Sequence, residues 1–274
     1  MYKSLTDEQE ERWEKYKNRA RSWSQTKQYM TCPYQFLLSR IVRAPEMRGA
    51  WLEQGVAVHA VIEEYEKSER SLTDSQARSM YQDRYSSMIN ASLAVTSDPD
   101  MWFSSGPYRG LPQDIERRYR VGADQVSAYL EWSRNSNETK ILHNFVELRF
   151  VLDLDGVEVL GFIDQVVNHV KKGPGVRDIK TGQKPTEHGQ LELYALAVKE
   201  LHDVEAEWGD YWLGKTGKTS RSIPLDTGPS QRSHFVEWFA KMDAGVKAGD
   251  FLPKPGDACE RCPVQLSCAY RAGS

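Results

Sequence analysis

Four cysteines constrain the fold of this chain more than any other feature. Cys32 stands alone near the start, and Cys259, Cys262 and Cys268 close the chain in the run C-E-R-C-P-V-Q-L-S-C. One thiol separated from a C-x2-C-x5-C triplet by most of the polypeptide suggests two ends that meet at one soft metal centre. Two disulfides, or four unrelated thiols with Cys32 an ordinary small buried residue, are the alternative readings. Residues Met1 to Arg21 are rich in Glu, Lys and Arg and lack the apolar stretch of a secretion signal. The expected location is therefore the cytoplasm, bacterial or that of a phage-infected host. Reducing conditions there favour thiols that bind metal or do redox chemistry over structural disulfides.

Between the two ends lies G-F-I-D, Gly161–Asp164, followed by V-R-D-I-K-T-G, Val176–Gly182. Strand side chains alternate faces, so Asp178 and Lys180 point the same way while Ile179 turns to the core with its carbonyl available. A hairpin joining the two strands would bring Asp164 near Asp178. Two carboxylates and a carbonyl oxygen suit Mg²⁺ or Mn²⁺. A lysine beside them could orient an attacking water or offset charge on a phosphate. Taken alone, Asp and Lys two apart on a strand more often form a solvated ion pair. The net charge of −3 argues against a chain that coats nucleic acid, yet it allows a nuclease with a local basic groove. No apolar run approaches the roughly 20 residues of a bilayer span, so no membrane contact is expected.

The 274 residues suffice for one large domain or two modest ones. Residues 5–21 read as an exposed, charged helix. Ser24 is placed to cap a short helix, and Pro33 to begin another after Cys32. Leu52–Ser68, residues 73–95 and residues 113–134 carry helical patterns, with Val58, Ile62 and Tyr65 on one stripe and His59 beside it. Residues 96–112 form a Pro/Gly/Ser-rich break. The period then changes to that of strands, a three-stranded meander running through Lys180 with turns at Asp155-Gly156 and at 172–175. A helix from His188 to Glu200, strands at Glu205–Leu213 and up to Leu225, and a helix over 229–248 complete the pattern. Gly209–Thr216 fits the written P-loop pattern, but its bulky interior and the lack of a following helix make it a strand running into a basic loop. Lys215, Lys218 and Arg221 of that loop are candidates for phosphate contact.

His59, Gly161-Phe162-Ile163-Asp164, Asp178-Ile179-Lys180 and Gln190-Leu191-Glu192-Leu193-Tyr194 stand in this order along the chain. Together with the cysteines, the set resembles the RecB-like nucleases of the PD-(D/E)XK superfamily, iron–sulfur type. That group includes the CRISPR-associated RecB-like exonucleases and the AddB-type helicase–nuclease subunits. The resemblance extends from about Ser22 to Cys268. It implies an α/β (α+β) fold, a restriction-endonuclease-like mixed central sheet flanked by helices. A helical N-terminal half and an iron–sulfur staple joining the N- and C-terminal segments go with it. The matching division is a charged helix over 1–21, a helical region with the first cysteine and the histidine over 22–140, a nuclease core over 141–228, and a C-terminal helix with the cysteine cluster over 229–274. Residues 22–274 are expected to form one compact unit.

The same resemblance assigns roles. His59, Asp164, Asp178 and the Ile179 carbonyl would hold Mg²⁺ or Mn²⁺, with Lys180, Asp178 and Asp164 catalytic. Gln190 and Tyr194 would brace the site and touch DNA, and Glu147 lies on the first strand, where an acidic residue often sits. Cys32, Cys259, Cys262 and Cys268 would bind a 4Fe–4S cluster, with zinc as the alternative for the same thiols. The implied activity is metal-dependent hydrolysis of DNA, by an exonuclease acting on single strands or free ends. A helicase, recombination or CRISPR-adaptation partner would suit it. Trp51, Tyr65, Trp102 and Tyr108 are candidates to stack bases. Alternatives are a catalytically silent DNA-binding or assembly module with an iron–sulfur cluster, and a redox iron–sulfur protein. Each residue also has an ordinary structural reading: His59 as a half-buried polar group, Gln190 and Tyr194 as a helix-surface pair, and the aromatics as core.

Overall fold

The computed structural model describes residues 5–103, 110–136 and 139–271. In chain order its helices begin with α1 (Asp7–Lys17), α2 (Trp23–Thr31) and α3 (Pro33–Phe36), the last continuing into a π-turn at Leu37–Val42. Helices α4 (Ala50–Lys67), α5 (Asp74–Val95) and α6 (Leu111–Asn135) follow. Strands β1 (Thr139–Leu154), β2 (Val157–His169) and β3 (Gly173–Lys180) lead into α7 (Gly189–His202). Then come β4 (Trp208–Leu213), the two-residue strands β5 (Lys218–Thr219) and β6 (Ile223–Pro224), and α8 (Pro229–Ala248). Among the described residues no helix is long and apolar enough to cross a membrane.

The chain forms two compact units. One comprises residues 1–47, 150–161 and 228–274, the other 48–149 and 162–227. In the first, Tyr16, Tyr29, Phe36, Leu37, Ile41, Met242, Val246 and Phe251 make the core. Trp13 Nε1–H donates to the Val246 carbonyl (2.8 Å). Arg21 is fully buried, yet its guanidinium is satisfied by Asp243 Oδ1 (2.6 and 2.9 Å) and the Tyr16 carbonyl (2.7 Å). A buried charge is tolerable only when paired and hydrogen-bonded in this way. The expected exposed lead-in over 5–21 is thus corrected: Tyr16 and Arg21 belong to a core. The cap of α2 is Ser22, whose Oγ accepts the Gln25 N–H, and not Ser24. Pro33 does open α3, at its first turn. The hairpin between β1 and β2 turns at Asp155 and Gly156, both with positive φ (52° and 90°), as a two-residue turn with matching twist requires.

In the second unit α4, α5 and α6 bury Val58, Val61, Ile62, Tyr65, Tyr81, Tyr85, Ile89, Val126, Tyr129 and Leu130. Ile179 of β3 and Trp212 of β4 pack into the same cluster. Each large apolar side chain so buried contributes roughly 1.5–3 kcal/mol. Tyr65 and Trp102 are therefore core residues rather than stacking platforms, at 0% and 5% exposure. Tyr108 lies outside the described residues. The six-stranded mixed sheet runs β1-β2-β3-β4-β5, with β6 also on β4. β2 and β3 are antiparallel, from His169↔Gly173 to Gln165↔Arg177. β3 and β4 are parallel, from Gly175↔Trp208 to Lys180↔Leu213, so a crossover is needed, and α7 supplies it. Residues 175–179 of β3 are all buried, as befits an inner strand covered on both faces. The P-loop-like run is β4 turning back into antiparallel β5 (Leu213↔Lys218), with no helix after it.

Candidate metal and catalytic site

One step beyond the last β2–β3 backbone pair stand Asp164 and Asp178. The ladder ends there because the Asp164 carboxylate, not a backbone carbonyl, takes the Ile179 N–H (2.6 Å). Asp178, 1% exposed, holds the Lys180 ammonium 2.7 Å from its Oδ2, off hydrogen-bond alignment. Lys180 also donates to Gln190 Oε1 (3.3 Å), and Gln190 Nε2–H donates to Tyr194 Oη (2.6 Å). Gln190 and Tyr194, one turn apart on α7, thereby form a relay that fixes the ammonium. Tyr194 is 5% exposed, which ties the relay to the core.

His59 of α4 faces the strand ends. Its Nδ1 lies 3.6 Å from Asp164 Oδ2 and 3.9 Å from Glu147 Oε1. One ligand atom from each of His59, Glu147 and Asp164 lies within 4.8 Å of the others, and no other such group of three occurs among the described residues. Donors about 2.1 Å from a common octahedral ion lie up to about 4.2 Å apart, so both separations from His59 fit. One imidazole nitrogen with carboxylate oxygens also fits Mg²⁺ or Mn²⁺ chemically. Asp178 adjoins this group without entering it at that spacing. Glu147 is thus a full member of the set. Its backbone is left-handed (φ 50°) in the middle of β1, a conformation uncommon for a non-glycine residue and concentrated at functional sites.

The electrostatics are those of crowded, desolvated charges. Burial opposes the imidazolium, but Asp164, Glu147 and Asp178 outweigh it and raise the pKa of His59 to about 10. Burial also works against ionised Asp164, yet His59, the Ile179 N–H and Lys180 hold its pKa below the usual value. Asp178 is pushed up to about 7, by burial first and by Asp164 second, with Lys180 and His59 pulling back. Neighbouring carboxylates driven in opposite directions are a signature of sites that handle protons and cations. His59, Glu147, Asp164 and Lys180 line an open cleft of about 650 Å³ bordered by Trp51, Gly55 and the Thr181–Gln183 turn.

All of His59, Glu147, Asp164, Asp178, Lys180, Gln190 and Tyr194 lie in one unit. Gly161, which opens the G-F-I-D motif, belongs to the other, where a Cβ would stand 2.4 Å from the Phe150 ring. Among the described residues, Trp51 is the only proposed stacking aromatic that borders the cleft. A relay that the sequence does not reveal reaches the end of β3 from the helices. Gln54 Nε2–H donates to Gln125 Oε1 (2.7 Å), and Gln125 Nε2–H to the Thr181 carbonyl (2.9 Å).

The cysteines share the first unit. The Cys262 thiol is pushed up by burial and by the nearby Cys268, Cys32 and Cys259, while a bond from Val264 N–H lowers it. Lys254 N–H donates to Cys32 Sγ and Tyr270 N–H to Cys268 Sγ, both at 3.4 Å. No disulfide joins them. The chain's two ends touch where Lys254 N–H meets Cys32 Sγ, but no three of these sulfurs lie within 4.8 Å of one another, so the expected four-thiol centre is not formed.

A mixed sheet that carries D-x-K beside a second strand-end carboxylate, opposite a helical imidazole, defines a nuclease of the restriction-endonuclease-like fold. The family profile described as "PD-(D/E)XK nuclease superfamily" matches residues 20–269, and the chain belongs to that superfamily. It is 38% identical to the Gene 69 protein of Mycobacterium phage L5, over 90% of this chain and 95% of that protein. It is 39% identical to the Gene 69 protein of Mycobacterium phage D29, over 90% and 96%. A solved structure titled "Crystal structure of SSO0001" overlaps 57% of this chain and 74% of its own at 16% identity, with a TM-score of 0.35, too low to bear on fold or function.

Proposed function

We propose that the protein is a Mg²⁺- or Mn²⁺-dependent deoxyribonuclease of the RecB-like, iron–sulfur type that works as an exonuclease on single-stranded DNA or free ends. The observation that carries the reading is the convergence of His59, Glu147 and Asp164 within liganding reach, beside the Asp178–Lys180 pair. When bound, a divalent ion supplies the positive charge that phosphodiester hydrolysis demands at the phosphoryl group. The protein's own groups do the rest. Asp164 is oriented by the Ile179 N–H on Oδ2, the oxygen 3.6 Å from His59 Nδ1, so its carboxylate can serve the ion with His59 and Glu147. Asp178 and Gln190 hold the Lys180 ammonium, which aligns the attacking water and donates to a phosphoryl oxygen as negative charge builds there. Trp51 at the cleft border offers a face for an unpaired base. A site that accepts unpaired, terminal nucleotides suits end-directed cutting.

The test uses end-labelled single- and double-stranded DNA, linear beside circular. Linear DNA should be degraded with Mn²⁺ or Mg²⁺ and left intact in EDTA. Lys180→Ala should reduce the rate about 100-fold or more without altering the circular-dichroism spectrum. Full activity in that variant would rule out the assigned site, and equal cutting of circular DNA would rule out an end requirement.

The iron–sulfur part rests on the electrostatic neighbourhood that Cys262 shares with Cys32, Cys259 and Cys268. The spacing, one remote cysteine and an uneven C-x2-C-x5-C triplet, favours the cluster over zinc. Protein purified without oxygen should be brown and carry about four irons per chain. Stoichiometric zinc without iron would refute the cluster.

A further inference from the structure

The cleft around His59 shares its Thr181–Gln183 wall with a second cleft of about 570 Å³. Arg117, Arg118 and Gln125 of α6, Gln54 of α4 and the Gly214–Gly217 loop line the rest of it. This second cleft is tied to the catalytic strand by hydrogen bonds. Arg118 Nη1–H donates to Gln54 Oε1 (2.8 Å), which opens the amide relay that ends on the Thr181 carbonyl. The Gly214 N–H donates to the Lys180 carbonyl (2.8 Å). The floor of the second cleft thus begins at the residue that follows the catalytic lysine.

Its charge is unbalanced. Asp124, on the rim, is held by Arg78 (3.1 Å). Asp114, 1% exposed, serves both Arg118 (3.3 Å) and Arg117 (3.8 Å), so two guanidinium groups share one carboxylate. Arg117 Nη1 is buried without a hydrogen-bond acceptor. Lys215 is exposed and has no ion-pair partner among the described residues. A planar fork fixed by a buried acid, a second beside it and an exposed ammonium in the same cleft make a receptor for a phosphodiester oxygen pair.

We propose that this second cleft holds the phosphodiester adjacent to the scissile one, with Arg117 and Lys215 as its contacts and Arg118 as the residue that positions Arg117's helix face against Thr181. The proposal rests on the nuclease reading of the His59 cleft and adds to it where the rest of the strand lies. The nuclease site itself places charge on one phosphate only. A strand that continues past it along the shared Thr181–Gln183 wall brings its next phosphate to the arginines.

The test is equilibrium binding of a fluorescent single-stranded oligonucleotide to the full chain in EDTA, by anisotropy over a series of salt concentrations. Arg117→Ala with Lys215→Ala, both at partly exposed positions, should weaken binding about ten-fold or more. It should also flatten the log–log salt slope by about 1.4, the value for two lost contacts to a single strand. Arg117→Lys alone should keep the slope, and Lys67→Ala with Lys171→Ala, an equal loss of charge elsewhere on the same unit, should change neither quantity. Replacing the phosphate beside the terminal linkage by a neutral methylphosphonate should weaken binding to the unaltered protein and not to the double variant. Unchanged affinity and slope in the double variant would overturn the proposal. Absence of cleavage by the unaltered protein, with the binding defect present, would instead remove the nuclease reading and keep the phosphate site.

Discussion

Asp178→Asn is expected to abolish cleavage and, in the same protein kept in EDTA, to raise the unfolding temperature at pH 8. The two effects have one cause. Asp178 is 1% exposed and beside Asp164, and burial together with that neighbour lifts its pKa from 3.8 to about 7. A carboxyl with a folded pKa above its unfolded one binds its proton more tightly in the folded state. It therefore favours the fold at low pH, and that contribution is lost as the pH rises from 3.8 to about 7. Above that window the folded protein carries a desolvated charge against a second one. Asparagine keeps the shape and removes the charge, for a gain of about 1–3 kcal/mol at pH 8 that fades toward pH 4. Were the pair with Lys180 a structural ion pair and nothing more, the same substitution would lower the unfolding temperature at pH 8. Scanning fluorimetry at pH 4.5 and pH 8, run beside the cleavage assay, separates the two cases. Loss of activity together with a gain in stability marks a residue kept for function at the expense of the fold.

What the sequence made legible follows from which physical signals are local. The two-residue period of β2 and β3 fixed the faces of Asp178, Ile179 and Lys180, and Ile179 is indeed in the core while Lys180 borders the cleft. The spacing Gln190–Tyr194 needs only a helix to make the pair neighbours, and α7 provides it. Tyr65 sat on the apolar stripe of its helix, so periodicity already pointed to the core, where it lies. Ser22 and Ser24 flank Trp23 with equal capping chemistry, and the choice is set by backbone torsions that no residue type encodes. Glu147 sits within a regular strand pattern, so its left-handed turn toward His59 leaves no trace in the sequence. Arg21 and Asp243 are 222 positions apart, as are Cys32 and Lys254. A charged segment rich in Glu and Arg reads as solvated until a distant partner is known. The Gln54–Gln125 relay is invisible for the same reason, because a buried amide looks like any polar residue on an amphipathic helix.

Cys262→Ser is expected to strip the iron from anaerobically prepared protein and lower its unfolding temperature by about 10 °C or more. The tail that carries three of the four thiols has little else to hold it. Between Asp250 and Arg271 only Phe251, Val264 and Gln265 are buried, and its regular structure is two short 3₁₀ turns. Segments with so few apolar contacts open at low free energy. Thiols add no cohesion of their own there, and burial raises the pKa of Cys262, which opposes its ionisation without a cation. A metal centre reverses that balance, because it demands the thiolates and ties Cys32 to the tail across most of the chain, which restricts the unfolded state strongly. Serine at 262 keeps the size of the side chain and removes one ligand. In protein prepared without iron the same substitution should leave the unfolding temperature unchanged within about 2 °C. An equal melting point for the variant and the parent in the iron-loaded preparation would mean that packing alone seats the tail, and the thiols would then be ordinary surface cysteines.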